Sequence, residues 1–172
     1  MSRPPFASFR DRDVEIVSAQ LGRPARDVIG IPARCACGAP TVVATRPRLA
    51  NGTPFPTLYY LTHPAATAAV STLEASGIMA EYSQRLLDEP ELADAYRAAH
   101  EQYLADREGL LHVEEVDGYS AGGMPTRVKC LHALVGHSLA AGPGVNPIGD
   151  LALAACTWSP EVCQCAPDQR GD

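Results

Sequence analysis

Apolar positions Val14, Val17 and Leu21 recur at intervals of three and four within Asp11 to Leu21, which predicts a first helix. Gly22 ends it and Pro24 blocks continuation. The period then shortens. Val28 to Ala33 is rich in β-branched residues and predicts a strand leading into Cys35. Thr41 to Thr45 (TVVAT) and Thr57 to Thr62 (TLYYLT) predict a second and a third strand. The proline-rich stretch between them carries Asn51-Gly52, a strong turn signal. A small antiparallel sheet with a long hairpin loop follows from this pattern.

From Pro64 the helical period returns. Proline suits a first helical position, and Ala66, Val70 and Leu73 share one face before Gly77. Ile78 to Leu87 predicts another helix, and Asp88-Glu89-Pro90 marks the start of a third. In that third helix Leu92, Tyr96, Ala99 and Tyr103 recur at helical spacing, with charged residues opposite. Val113 to Tyr119 predicts a short strand, and Pro125 opens a helix running to about Ala141, closed by Gly142-Pro143. Asn146-Pro147 makes a turn, Asp150 caps a short last helix, and the tail from Pro160 is irregular. The expected class is α+β: a small antiparallel sheet near the N-terminus packed against several helices. Residues 1–172 form a single domain with flexible ends at about 1–10 and 160–172.

Composition narrows the function. The chain is 46% hydrophobic and 20% charged, which excludes a disordered tail or a solvated rod. A net charge of −6 argues against nucleic acid as a partner. No run approaches the roughly 20 apolar residues that span a bilayer, and MSRPPFASFRDRD lacks a signal-peptide core, so no membrane role and a cytoplasmic location are expected. Heavy use of alanine, proline and arginine fits a GC-rich bacterial genome. In a reducing compartment the six cysteines are expected to be free, metal-bound or catalytic rather than paired in disulfides.

Four clusters hold the candidate chemistry: Arg34-Cys35-Ala36-Cys37-Gly38 on a turn; His63 where the third strand meets a helix; Lys129-Cys130-Leu131-His132 early in a helix, with His137 further along; and Cys156 with Cys163-Gln164-Cys165 in the tail. Zinc or an iron–sulfur cluster wants about four such donors on rigid elements. The C-x-C spacing is less diagnostic than C-x-x-C, and the donors come from across the chain. At about 100° per residue, Cys130 and His137 nearly eclipse, whereas His132 falls roughly 200° from Cys130. Those two share a metal only if the turn is irregular. Buried cysteine also packs as a small hydrophobe, and a histidine before proline can simply cap a helix. Spacing alone leaves the matter open.

The run PFPTLYYLTHP (Pro54 to Pro64), the LEASG that follows, GG…VKCLH (Gly122 to His132) and NPIG (Asn146 to Gly149) resemble the bacterial domain-of-unknown-function family 501. That resemblance brings no fold or activity with it. It implies importance for Cys35, in an RC element, and for Cys130 and His132, in a KCLH element. It also implies relatives with cysteine where His63 stands, an exchange that a metal site tolerates. A cysteine near the C-terminus matches Cys163. The expected metal set is therefore Cys35, His63, Cys130 and Cys163, holding zinc or an iron–sulfur cluster, with Cys37, His137, Cys156 and Cys165 left open.

Two uses compete for such a site. In the first, a metal-dependent enzyme acts on a small anionic ligand bound at Gly122, Gly123, Arg127 and Lys129, with His132 as acid/base. In the second, the metal only stabilises a module that binds a protein partner through the acidic helix. Four protein ligands favour structure and three favour catalysis. A third reading is metal-free thiol chemistry at Cys130, with Lys129 lowering its pKa.

Overall fold

Helix α1 (Asp11–Leu21) forms where the apolar spacing places it. Its Asp13 carboxylate accepts the Arg10 amide at 2.9 Å, and Gly22 closes the helix in the left-handed region at φ 67°. The computed structural model describes residues 4, 6 and 8–171 of the chain. The expected flexible ends fall partly on residues 1–3, 5, 7 and 172, which lie outside the described residues.

Strands β1 (Val28–Arg34), β2 (Pro40–Thr45) and β3 (Tyr59–Leu61) form one antiparallel sheet in that order. Arg34 faces Pro40 across the tight β1–β2 turn, and Val42 faces Leu61 across β2–β3. Among the described residues six α-helices accompany the sheet: α1, α2 (Pro64–Ala75), α3 (Ile78–Asp88), α4 (Pro90–Glu108), α5 (Leu131–Ala141) and α6 (Pro147–Ala155). The protein is α+β, with its sheet near the N-terminus. Among the described residues no helix is long and apolar enough to cross a membrane.

The main core joins Val42, Leu58, Tyr59 and Leu61 of the sheet side to Leu131, Leu134 and Val135 of α5 and to Tyr96, Ala99 and Tyr103 of α4. Glycine sets two close approaches. A Cβ on Gly136 would stand 3.1 Å from the Tyr59 carbonyl, so α5 lies directly on β3. A Cβ on Gly149 would meet the Leu134 carbonyl and Ser138 Oγ at 2.3 Å, so α6 is wedged against α5. A smaller second core holds Ile16, Ala39, Cys35 and Cys165.

Three local expectations are corrected. Val113 to Tyr119 is not a strand; it carries a single 3-10 turn, Glu114–Val116, because its carbonyls turn inward. Those of Val116 and Tyr119 accept from the buried guanidinium of Arg107, which also reaches the Pro56 carbonyl at 3.1 Å. The helix expected from Pro125 begins only at Leu131. Its missing turn is spent on tertiary bonds: the Val128 amide donates to Ser83 Oγ, and Tyr96 Oη donates to the Arg127 carbonyl. The last helix is capped by Asn146, whose side chain accepts the Gly149 amide at 3.0 Å; Asp150 instead accepts from Gly144.

One ion pair braces the N-terminal half. Arg34 donates to both oxygens of Asp13, at 2.6 and 3.0 Å, while Asp13 is 1% exposed. Hydrogen bonding to Arg34, against the opposing effect of burial, holds the Asp13 carboxyl below its usual range. A depressed folded pKa contributes stability that is present above the unfolded value, near 3.9, and is lost as pH falls through the folded one. Asp13→Asn should cost about 1.5–3 kcal/mol at pH 7. It should also weaken the acid-side fall of stability below about pH 4, read by urea unfolding at several pH values. An unchanged acid limb would assign that dependence to other carboxylates.

Candidate functional site

The β1–β2 turn is tight because Gly38 takes φ 84° and the Cys35 amide donates to the Ala39 carbonyl at 2.8 Å. It brings Cys35 and Cys37 to the same side. The tail returns to this turn from the far end of the chain. The Ala36 amide donates to the Pro160 carbonyl at 3.0 Å, and Arg12 of α1 donates to the Asp168 carbonyl at 3.2 Å. A Cβ on Gly171 would meet the Gly38 carbonyl carbon at 2.4 Å, so only glycine lets the tail lie there. The tail is irregular apart from a 3-10 turn at Pro167–Gln169.

This return places Cys163 and Cys165 beside Cys35 and Cys37. All four Sγ atoms lie within 4.8 Å of one another, and Cys37 and Cys165 are 3.5 Å apart. Every cysteine is a free thiol. Around one ion with bonds of about 2.3 Å, tetrahedral thiolates stand about 3.8 Å apart, so the group has the size of a single-ion site. The protonation pattern is uneven. Burial raises Cys35 and raises Cys165 further, while amides of Ala39 and Gly171 overcome burial at Cys37 and bring it down to about 6. Four thiolates this close need a cation between them.

His63 sits at the edge of this group. Its Nε2 is 3.1 Å from Cys165 Sγ, its ring is 1% exposed, and Trp158 packs against it with ring centroids 5.3 Å apart. As N-cap of α2 it accepts the Ala66 amide on Nδ1 at 3.4 Å. An Nδ1 that accepts leaves the proton on Nε2, aimed at the Cys165 sulfur. His63 is thus placed as an N–H donor to the Cys165 sulfur.

Cys130 lies elsewhere. It is the N-cap of α5, with extended φ −149° and ψ 105°, so the helical angle between Cys130 and His132 does not apply. His132, at the second helical position, joins it together with Glu74 from the end of α2. His132 Nδ1 is 3.1 Å from Glu74 Oε1, and its Nε2 is 3.2 Å from the Thr67 carbonyl and 3.1 Å from Ser71 Oγ. Glu74 also accepts the Leu131 amide at 2.7 Å, so the start of α5 already holds a carboxylate. His132 is raised to about 9, first by hydrogen bonding with Cys130 and also by Glu74, and Cys130 is lowered, first by the same bond.

The residues singled out in the sequence therefore divide. Cys35 and Cys163 come together, with His63 alongside, whereas Cys130 and His132 form a separate cluster. Gly122 and Gly123 hold left-handed φ values of 67° and 96°, and a Cβ on either would strike Leu134 or the Arg127 carbonyl. Their role in the loop is to admit α5. Arg127 and Lys129 are exposed. His137 is buried against Tyr59 and Tyr103 with Asn146 at 3.1 Å, and Cys156 hydrogen-bonds the Leu153 and Trp158 carbonyls. Missing from the expected set were Cys37, Cys165 and Glu74. The C-x-C spacing at 35 and 37 recurs at 163 and 165, a signal the sequence does carry.

With these sites in place, the comparisons give the class to which the chain belongs. A family model described as "Protein of unknown function (DUF501)" matches residues 31–154, and the chain belongs to that family. No curated protein and no solved structure matches it. Cys35, Cys37, Glu74, Cys130 and His132 fall inside the matched span; Cys163 and Cys165 lie beyond it.

Proposed function

We propose that Cys35, Cys37, Cys163 and Cys165 bind one zinc ion, and that this ion is structural: it fastens the tail to the β1–β2 turn of a metal-stabilised module. The observation that carries this is the mutual proximity of the four sulfurs, all within 4.8 Å. An iron–sulfur cluster distributes its cysteines over separate iron atoms and so spreads the sulfurs further than one ion does. Four protein thiolates also fill a tetrahedron and leave no position for substrate. The small-anion enzyme reading gains less, because the α5 N-terminus is already bonded to Glu74.

Metal and sulfide analysis of protein purified without a chelating tag tests this. One zinc per chain, lost in Cys37→Ser, is expected. Acid-labile sulfide, or no metal with all thiols titrating, would overturn it.

His63 makes a separate forecast. As a hydrogen-bond donor to the Cys165 thiolate it orients a ligand without being one, and such partners are worth about 10–100-fold in metal affinity. His63→Gln should keep one zinc per chain yet weaken binding by about that factor in competition with a chromogenic chelator. Complete loss of zinc in His63→Gln would instead make His63 a ligand.

A further inference from the structure

The Cys130 cluster joins a thiol, an imidazole and a carboxylate, groups that a tetrathiolate does not combine. The Thr67 carbonyl only accepts, so the His132 Nε2 beside it, 3.2 Å away, carries a proton. Nδ1 faces the Glu74 carboxylate at 3.1 Å, which also only accepts, so a second proton belongs there. His132 is then an imidazolium fixed from both sides, with the Cys130 sulfur within 4.8 Å of its ring nitrogen and of the Glu74 oxygen. Cys130 is the N-cap of α5; the Leu131 amide is taken by Glu74, and the Ala133 amide is the one that favours a Cys130 thiolate. Beside it opens a cleft of about 280 Å³, lined by Tyr60, Leu61, Thr67 and Ala133 among others, with no lysine or arginine.

We propose that Cys130 is the nucleophile of an acyl-transfer site, with His132 as its proton partner and Glu74 as the residue that positions the ring. The substrate is an uncharged ester or thioester whose apolar chain lies in the cleft between β3 and the start of α5. The absence of basic lining residues and the presence of Glu74 disfavour an anionic group at the reacting carbon. The Cys130 thiolate attacks the acyl carbon and a C–S bond forms. The bond to the alcohol or thiol breaks, and the leaving group takes the proton from His132. Water then attacks the acyl-cysteine while neutral His132 accepts its proton. The acid leaves, and the thiolate–imidazolium pair is restored.

The charged groups facing Cys130 are His132 on α5 and Glu74 on α2; β3 contributes Tyr59, Tyr60 and Leu61 there, none of them charged. Zinc-loaded protein should be alkylated by iodoacetamide at pH 7 on Cys130 about tenfold or more faster than on Cys156. His132→Gln and Glu74→Gln should each move the pH midpoint of that reaction upward, which a merely structural role would not do. p-Nitrophenyl butyrate should release a burst of one nitrophenolate per chain and leave a butyryl group on Cys130, absent in Cys130→Ser. Cys130 reacting no faster than Cys156, no acyl group on Cys130, or a metal ion lost on Cys130→Ser would each overturn the proposal. The four-cysteine centre is judged apart: its failure would show as rapid alkylation of Cys37 and missing zinc, neither of which touches Cys130.

Discussion

Removing the zinc proposed for the four-cysteine centre should lower stability by about 5 kcal/mol, the chain-entropy value for cross-linking a loop of over a hundred residues. Cys37 and Cys165 are 128 positions apart in sequence, so few other contacts restrain these segments together once the ion is gone. What remains is Ile16 and Ala39 in the small core, the Ala36–Pro160 bond and the Arg12–Asp168 bond. Two of these are single hydrogen bonds, worth about 1 kcal/mol each. For a domain of this size the loss corresponds to a fall in Tm of roughly 10–20 °C. Thermal unfolding with and without a strong chelator reads the shift, and limited proteolysis should then cut within residues 160–171. An unshifted Tm in protein shown to be metal-free would refute the fastening role.

The second large effect is expected at Arg107. Its guanidinium is 1% exposed and donates to three backbone carbonyls, those of Pro56, Val116 and Tyr119. Replacing a buried charged pair with apolar residues is often harmless, because both partners go together. Here the partners are main-chain groups that no substitution removes. Arg107→Met fills similar volume but orphans them, at about 1–3 kcal/mol per buried group and about 3–5 kcal/mol in all after relaxation. Arg107→Lys, with a charge but no fork, should fall between. Urea unfolding measures both, and a loss under about 0.5 kcal/mol for Met would show that water satisfies the carbonyls.

Both effects bear on what the sequence could disclose. Local periodicity located α1, the three strands and the helices from Pro64 to Glu108, because each buries a face with a regular repeat. It failed where a distant side chain claims the backbone. The stretch around Val116 carries the valines and tyrosine of a strand, but Arg107, on a different element, takes its carbonyls. Pro125 suits a helix start, yet Ser83 and Tyr96 claim the next amide and carbonyl. That cysteines from distant parts of the chain converge was legible, but not which of them do. Cys35 and Cys163 come together, whereas Cys130 groups with His132 and Glu74 where the end of α2 meets the start of α5. Glu74 stands in the LEASG run, but nothing in the sequence assigns it a role. Its role exists only because the end of α2 meets the start of α5.

The distance along the chain between the two halves of the cysteine centre also imposes an order on synthesis. At 5–20 residues per second, roughly 6–26 s pass between the emergence of Cys37 and that of Cys165. During that interval the first C-x-C pair is a bidentate thiol with no partner, able to pick up an ion weakly or to be oxidised. On the proposed zinc reading, the full tetrahedron would form only when the second pair arrives. Tight metal retention would then certify that the ribosome has passed Cys165, and a chain truncated before it would carry an open, exchangeable site that distinguishes it chemically from the finished one.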